Sequence, residues 1–336
     1  MINGEPSSIL SVDGLSWQVV FTQLISRGTG TLGNSIFIMI TGYFMITRMV
    51  NWKKLLILLF TMLIYSWIIM AIMYQYDLIT PSIKSTIKGL FPILFGENWF
   101  VSCYIVFSIF IPFINQLLNG LNKKQYQKFV MLLYLFYIVL PAFRIATFTD
   151  APIFLFLLSY SMGGYIRIHG TSLCTPVWHK RYALYFVAVL LMLWASVGIF
   201  DILGIVFHEV ALLRGSYRMN AVFAIPMSVA AFGYFVTMPN FYNKYINIIA
   251  SSVLGVYLIH ENAFMRMIIW HHIFPNSEWV ASSWYPFFFL VKVLSIFAIC
   301  CAIELVRKWL LDGLFSNIAE RILISTSNRW NRMFNH

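Results

Sequence analysis

Apolar residues along this chain are grouped into long runs separated by short polar segments. A transmembrane α-helix needs about 20 apolar residues, because a rise of about 1.5 Å per residue must cover a hydrocarbon layer roughly 30 Å thick. About nine runs meet this criterion within a few residues. They are residues 32–47, 55–74, 99–118, 127–146, 152–168, 182–203, 217–237, 249–270 and 286–311. The pattern therefore predicts an all-α, polytopic integral membrane protein.

Three further segments show helical spacing of apolar positions but are too short or too polar to span a membrane. Residues 17–25 predict a short interfacial helix, which leads into the first run through a glycine-containing stretch at 28–33. Residues 75–97 predict an interfacial or re-entrant helix that ends at Gly96. Residues 311–336 predict an amphipathic cytoplasmic tail, whose arginines contact anionic lipid.

The composition agrees with a membrane protein and argues against a soluble one. Hydrophobic residues make up 60% of the 336 residues and charged residues only 10%, whereas soluble domains have about 25% charged residues. The net charge of +11 does not indicate a nucleic-acid partner, because the basic residues lie in short loops between apolar runs. Since no repeat, linker or low-complexity tract divides the chain, we expect a single membrane domain over residues 1–336.

Lysine and arginine collect in every second loop. They follow the first, third, fifth, seventh and ninth runs, and most acidic residues lie in the other loops. Because basic residues near helix ends mark the cytoplasmic side, the pattern predicts a cytoplasmic C-terminus and an outside N-terminus. Residues 1–16 lack the basic start and apolar core of a cleavable signal peptide. We therefore expect an additional helix upstream of the first run to complete this topology.

The run at 249–270 carries three polar residues, His260, Glu261 and Asn262, in its middle. An acidic residue at the centre of a spanning helix costs roughly 2.5–3.5 kcal/mol, so Glu261 is expected to face protein, water or a partner. One interpretation is that these residues hydrogen-bond neighbouring helices and hold the bundle together. The other is that His260 acts as a general base on a hydroxyl, with Arg266 or Lys292 as a nearby cation.

Cysteine and histidine show no metal-ligand spacing in this sequence. His271 and His272 are adjacent, and each cysteine lies in or beside an apolar segment, where it is expected to act as a small apolar residue. The cysteines are Cys103, Cys174, Cys300 and Cys301. We expect no metal site and no bound cofactor.

Four motifs, taken in order and spacing, resemble the acyltransferase 3 family of integral-membrane acyltransferases. They are GNSIFIMITGYFMITR at 33–48, ENWFVSCYIVFSIFIPFIN at 97–115, YSMGGYIR at 160–167 and GVYLIHE at 255–261. Each motif alone is weak, but four in register over one topology make a moderately specific match. The resemblance covers about residues 28–310.

The resemblance implies an O-acyltransferase of the bacterial cell membrane. Such an enzyme moves an acyl group from cytoplasmic acyl-CoA to a hydroxyl of a cell-surface polysaccharide or lipid-linked sugar. We expect the acyl group to be acetyl. Family members usually carry an arginine and then a catalytic histidine on their first helix, and neither has a counterpart here. The family's arginine pair after the second helix is also replaced by Lys53 and Lys54.

The residues that remain give three sets of site candidates. The catalytic candidates are His260 and Glu261. The donor-binding candidates are cations on the expected cytoplasmic side, although each could simply determine topology: Arg48, Lys53, Lys54, Arg167, Lys180 and Arg181. The candidates for binding the acceptor or lining the site are Trp99, Tyr257, Arg144 and Arg218. Tyr257 lies one turn before Glu261 and is expected to be able to hydrogen-bond it.

Two other functions stay open at this point. A transporter or flippase would use His260 and Glu261 as a proton relay or substrate site at the membrane midplane. A catalytically inactive membrane partner, or a truncated chain, would explain why the family's first-helix histidine has no counterpart.

Overall fold

The computed structural model describes residues 16–27, 29–143, 145, 151–208, 215–274 and 282–334. All regular elements within these residues are helical, which confirms the all-α class. In chain order the α-helices are α1 (Trp17–Ser26), α2 (Thr29–Met45), α3 (Trp52–Gln75), α4 (Ile83–Leu90), α5 (Pro92–Phe95), α6 (Trp99–Asn119), α7 (Lys123–Tyr134), α8 (Leu140–Ala142), α9 (Pro152–His169), α10 (Pro176–Val206), α11 (Gly215–Val236), α12 (Lys244–His260), α13 (Ala263–Met267) and α14 (Tyr285–Phe334). Two π-helical turns, Leu135–Val139 and Ile268–Ile273, and a 3₁₀ turn, Thr171–Leu173, complete the described elements.

Several of these helices are long and apolar enough to cross a membrane. Within the described residues five meet this test alone, and a bent pair makes six if it counts as one span. The five are Trp52–Gln75, Trp99–Asn119, Pro176–Val206, Met219–Val236 and Tyr285–Thr326, and the pair is Lys244–His260 with Ala263–Trp270. The chain is thus a multi-pass membrane protein, while the count of nine spans and the orientation of the termini stay predictions.

Helix length and continuity explain two of the apolar runs that are not found as spans. Helix α2 has only 17 residues, and the run at 127–146 is divided between α7, a π-helical turn and α8. At the other end of the chain, the run at 286–311 and the amphipathic segment after it form one continuous helix, α14, of 50 residues.

The chain divides into two compact units that alternate along the sequence. The first unit is Met1–Met49, Phe110–Asn240 and Ser277–Pro286. The second unit is Val50–Ile109, Phe241–Asn276 and Phe287–His336. Each unit is described separately below, and the single domain expected from the sequence stays a prediction.

In the first unit, α2 and α9 cross with their backbones in contact. A Cβ atom at Gly42 would lie 2.2 Å from the carbonyl oxygen of Tyr160, and one at Gly163 would lie 2.1 Å from that of Met39. Only glycine fits at these positions, since the obstructing atoms belong to backbone. Small residues that allow such close approach are typical of helix packing in membranes.

The short helix α1 also packs within the first unit. The Gln23 side chain donates a hydrogen bond to the buried Asp201 carboxylate of α10 at 3.3 Å, and the Trp194 indole donates to the Leu24 carbonyl at 3.0 Å. The segment predicted as a short helix is therefore helical, and it is held by α10 through polar contacts.

In the second unit, α4 and α5 fold against α3. Ser66 donates to the Gly89 carbonyl at 2.7 Å, and the Tyr74 hydroxyl lies 2.8 Å from that of Ser85. The segment ends at Gly96, whose φ of 63° is the left-handed conformation that favours glycine. The segment is helical and ends at Gly96 as predicted, but it forms two short helices, α4 and α5, and not one. Its position relative to the membrane stays a prediction.

Candidate active site

The polar residues of the run at 249–270 lie at a break between two helices. This run is not one continuous helix: α12 ends at His260, and the segment 263–270 leaves at an angle of 75°, so the two together form either a broken span or a re-entrant loop. Asn262 starts α13 as its N-cap, because its side chain accepts a hydrogen bond from the Phe264 amide at 3.0 Å. The sequence signal for this break is an asparagine directly before a helix-forming stretch.

Glu261 is buried at the break, with its residue only 4% exposed. Its Oε2 lies 4.0 Å from Nη1 of Arg266, and its Oε1 lies 3.7 Å from Nε2 of His260. Within the described part of the chain, Oε1 makes no hydrogen bond. A buried carboxylate oxygen without a hydrogen bond is costly in free energy, so a donor that reached this atom would be bound favourably.

The His260 ring is oriented by its own helix. Nδ1 lies 2.6 Å from the Val256 carbonyl oxygen, and because a carbonyl only accepts, Nδ1 must carry the proton of this hydrogen bond. In the neutral imidazole, Nε2 then holds the lone pair. The side chain is 26% exposed, so Nε2 belongs to a group that a ligand can approach.

Tyr257 connects this break to the start of α6. Its hydroxyl oxygen accepts a hydrogen bond from the Phe100 amide at 3.3 Å, and the two rings pack edge to face with centroids 5.6 Å apart. The expected hydrogen bond from Tyr257 to the Glu261 carboxylate is not present; the Glu261 amide instead donates to the Tyr257 carbonyl at 3.1 Å. Since the hydroxyl oxygen is used as an acceptor, its proton can still be donated to a ligand.

A second cluster of charges in the same unit was not predicted from the sequence. Glu304 and Arg307, both buried in α14, pair through two hydrogen bonds of 2.8 Å, and the Tyr65 hydroxyl donates to Glu304 at 2.6 Å. Arg307 also donates to Asp312 at 2.9 Å. A Cβ atom at Gly255 would lie 2.3 Å from the Glu304 carboxyl carbon, so this glycine of the GVYLIHE motif leaves room for the pair.

Lys292, considered as a cation for the reaction, is already engaged. It donates to the Phe274 carbonyl at 2.6 Å and lies 5.2 Å from the Trp270 ring centroid. It therefore holds the end of the π-helical turn Ile268–Ile273.

The donor-binding candidates are divided between the units: Lys53 and Lys54 belong to the second, and Arg48, Arg167, Lys180 and Arg181 to the first. Lys53 pairs with Glu320 at 2.8 Å. Arg167 and Arg181 lie over the rings of Tyr43 and Trp178, at 5.1 and 5.0 Å from the centroids. The other three candidates are exposed.

The structure describes only some of the residues predicted to bind the acceptor or line the site. Trp99 packs edge to face on Phe100, with centroids 5.7 Å apart, next to the contact with Tyr257. Arg144 lies outside the described residues, and Arg218 lies on α11 with its side chain outside the described part. Trp99, Tyr257, His260 and Glu261 are therefore the predicted residues that the second unit brings to one region.

A family model described as "Acyltransferase domain", of acyltransferase 3, matches residues 6–305. The match begins upstream of residue 28, where the resemblance in the sequence was placed, and therefore includes α1. No curated protein and no solved structure matches the chain.

Proposed function

The chain belongs to the acyltransferase 3 family, and from this premise we propose that it is an O-acyltransferase of the bacterial cell membrane. The proposed donor is cytoplasmic acyl-CoA, with acetyl as the acyl group, and the proposed acceptor is a hydroxyl of a cell-surface polysaccharide or lipid-linked sugar. The single observation that carries the proposal is the pair of atoms Nε2 of His260 and Oε1 of Glu261, which lie 3.7 Å apart.

These two atoms both accept hydrogen bonds when His260 is neutral. Nδ1 of His260 carries the proton that it gives to Val256, so Nε2 has only a lone pair to offer, as does Oε1 of Glu261. Two facing hydrogen-bond acceptors are stable together only if they share a proton or if a hydroxyl donates to them. The hydroxyl of the sugar that receives the acyl group can be this donor.

In the proposed reaction His260 is the general base. The acceptor O–H bond breaks as its proton moves to Nε2, the oxygen bonds to the thioester carbonyl carbon, and the C–S bond then breaks. The coenzyme A sulfur leaves with the electron pair and takes the proton back from His260. The Glu261 carboxylate stabilises the positive charge on the imidazole while it holds that proton.

Tyr257 is the proposed donor to the oxyanion that forms on the thioester carbonyl. Its oxygen is fixed by the Phe100 amide and its proton is free to point at a ligand. A donor held in place before the reaction stabilises developing negative charge more than a mobile one, because no reorganisation is needed.

The phosphates of coenzyme A require cations. The proposed binding residues remain Arg48, Lys53, Lys54, Arg167, Lys180 and Arg181, with Trp99, Tyr257, Arg144 and Arg218 proposed to line the acceptor site. Among the cations, Arg167 and Arg181 have their guanidinium groups over aromatic rings, which limits the entropy lost when they bind a phosphate.

One observation favours a second function. A helix broken by 75° at a buried acidic residue is typical of membrane transporters, whose substrate sites lie at such breaks. In that case His260 and Glu261 would carry a proton across the membrane, and Tyr257 would have no catalytic role.

The test uses membranes that contain the full chain and labelled acetyl-CoA. We expect label on surface glycan with the wild type, and a loss of about 10²–10⁴-fold with His260→Ala. His272→Ala, at an exposed residue of the same unit, is the control and is expected to retain transfer. Equal transfer by His260→Ala and the wild type would refute the catalytic assignment. Uptake of label without acylation would favour the transporter, and a wild type without either activity would favour an inactive partner.

A further inference from the structure

A cavity of about 530 Å³ lies in the first unit, between α7, α9, α10 and α11. Apolar side chains form much of its wall, among them Val130, Met162, Ile166 and Val229. Protein interiors are close-packed, so an apolar space of this size needs an explanation. Sites for small organic ligands typically measure about 300–1,000 Å³ and are mostly apolar, so the cavity has the size and character of such a site.

Two tyrosines fix α7 at the borders of this cavity. The Tyr126 hydroxyl donates to the Ser161 carbonyl of α9 at 2.9 Å, and the Tyr134 hydroxyl donates to the Val222 carbonyl of α11 at 2.7 Å. A Cβ atom at Gly164 would lie 2.8 Å from the Tyr126 hydroxyl, so this glycine leaves room for the first contact. The space is therefore bounded by specific hydrogen bonds and does not result from loose packing of α7.

The mouth of the cavity lies along α7, where the lining residue Met131 is 67% exposed. The first turn of this helix carries Lys123 and Lys124, which are exposed. Further along, its exposed side chains are apolar and continue into the π-helical turn: Leu132, Leu135 and Phe136. Lysines at the end of an apolar stretch lie at the level of lipid headgroups. The mouth thus lies near the boundary between the headgroups and the hydrocarbon layer.

Two hydroxyls of lining residues can donate hydrogen bonds to a ligand. The Tyr165 hydroxyl oxygen accepts from Nε2 of Gln127 at 2.6 Å, which leaves its proton for another acceptor. The Tyr182 hydroxyl makes no hydrogen bond with any described residue, although Tyr182 is buried. A buried hydroxyl without a partner is destabilising, so a ligand that accepted from it would be bound favourably.

We propose that this cavity binds one acyl chain of an anionic glycerophospholipid. The chain lies against the apolar wall, its ester carbonyl accepts from Tyr165 and Tyr182, and the phosphate meets Lys123 and Lys124. Both lysines are one helical turn before Gln127 and therefore lie on its side of α7. A membrane lipid is favoured over acyl-CoA because the exposed side chains beside the mouth are apolar and face hydrocarbon. The site is independent of the proposed function, whose reacting atoms belong to the second unit.

The headgroup contact is tested by native mass spectrometry of the full chain in a nonionic detergent. Phosphatidylglycerol is expected to bind more tightly than phosphatidylcholine with the same chains. Lys123→Gln with Lys124→Gln is expected to weaken phosphatidylglycerol by about 5-fold per lysine and to leave phosphatidylcholine unchanged. Lys244→Gln, at the exposed start of α12, is the control and is expected to have no effect. Equal affinity for the two lipids, or an equal loss with the control, would overturn the proposal.

The ester contact is tested with a matched pair of tyrosines on α10. Tyr182→Phe keeps the ring but removes the donor, so it is expected to weaken phosphatidylglycerol by about 5-fold, the equivalent of one hydrogen bond. Tyr185→Phe, at an exposed position one turn later, is expected to have no effect. Equal affinities of the two variants would contradict the assigned ester contact.

The position of the chain is tested with phosphatidylglycerol that carries a photoreactive group at the end of one acyl chain. Cross-links are expected at the wall residues Met162, Ile166 or Val229, and Val130→Trp, which fills the cavity, is expected to abolish them. Cross-links confined to exposed residues such as Leu132, or cross-links that persist in a folded Val130→Trp chain, would overturn the proposal. If that variant does not fold, the wild-type cross-links still decide. Loss of these cross-links in excess acyl-CoA would also overturn the proposal, because it would assign the cavity to the donor.

Discussion

The buried pair of Glu304 and Arg307 gives the strongest test of how the second unit is stabilised. Replacing Glu304 with leucine removes both 2.8 Å hydrogen bonds to Arg307 and the 2.6 Å bond from Tyr65. Breaking a buried ion pair by removing one partner costs about 3–5 kcal/mol. Arg307 keeps its bond to Asp312, so we take the lower value of about 3 kcal/mol for the pair. The unpaired Tyr65 hydroxyl adds about 1 kcal/mol, and the expected loss is therefore about 4 kcal/mol.

The double variant Glu304→Leu with Arg307→Met is the matched control. It removes both charges, so no uncompensated guanidinium remains, and it is expected to lie within about 1 kcal/mol of the wild type. The free energy of unfolding is measured in mixed detergent micelles by far-ultraviolet circular dichroism. A loss below about 1 kcal/mol for the single variant, or a double variant no more stable than the single one, would refute the assignment of the pair as a stabilising contact.

The remaining predictions concern helix packing and orientation. Gly163→Ala places a Cβ against the Met39 carbonyl and is expected to lower the free energy of unfolding by at least about 1–3 kcal/mol. Gly33→Ala, where no atom lies within 4 Å, is the control and is expected to be neutral or to stabilise by up to about 1 kcal/mol. Equal thermal unfolding midpoints for the two variants would contradict the crossing of α2 and α9. Burial raises the pKa of the Cys174 thiol. Because the thiolate is the reactive form, its alkylation in a Cys103→Ala/Cys300→Ala/Cys301→Ala chain is expected to lag behind that of a free thiol at neutral pH and to accelerate as pH rises. A membrane-impermeant thiol reagent is expected to reach Cys174 only in inverted vesicles, and labelling of intact cells would reverse the predicted orientation.

The helical class and the family could be predicted from the sequence, because apolar run length and motif order are local properties. The break after His260 could not be predicted from the length of the apolar run. A hydropathy pattern averages over the run, whereas the break depends on a single cap, Asn262, and on the burial of Glu261. The residues of the candidate site were predicted, but not the bond between Tyr257 and Phe100, because these residues are far apart in sequence.

The charge pattern also misses what Arg307 does. Arg307 lies near the end of the apolar run at 286–311, and the charge pattern counts it among the basic residues that mark the cytoplasmic side. In the structure it is 8% exposed and pairs with Glu304, which the sequence shows three residues earlier in the same helix. The spacing of the pair was visible, but its burial depends on Tyr65 and Gly255, which come from other helices.

The length of α12 indicates how deep in the membrane Glu261 lies. Its 17 residues cover about 26 Å, a little less than the roughly 30 Å of a hydrocarbon layer. If Lys244 starts at the inner surface, as the charge pattern predicts, the carboxylate lies close to the outer headgroups rather than at mid-depth. The energetic penalty for an acid falls steeply toward that boundary. A short helix that stops before it emerges would thus place the break near the outer surface, where a water-soluble glycan can approach the partly exposed His260 beside Glu261.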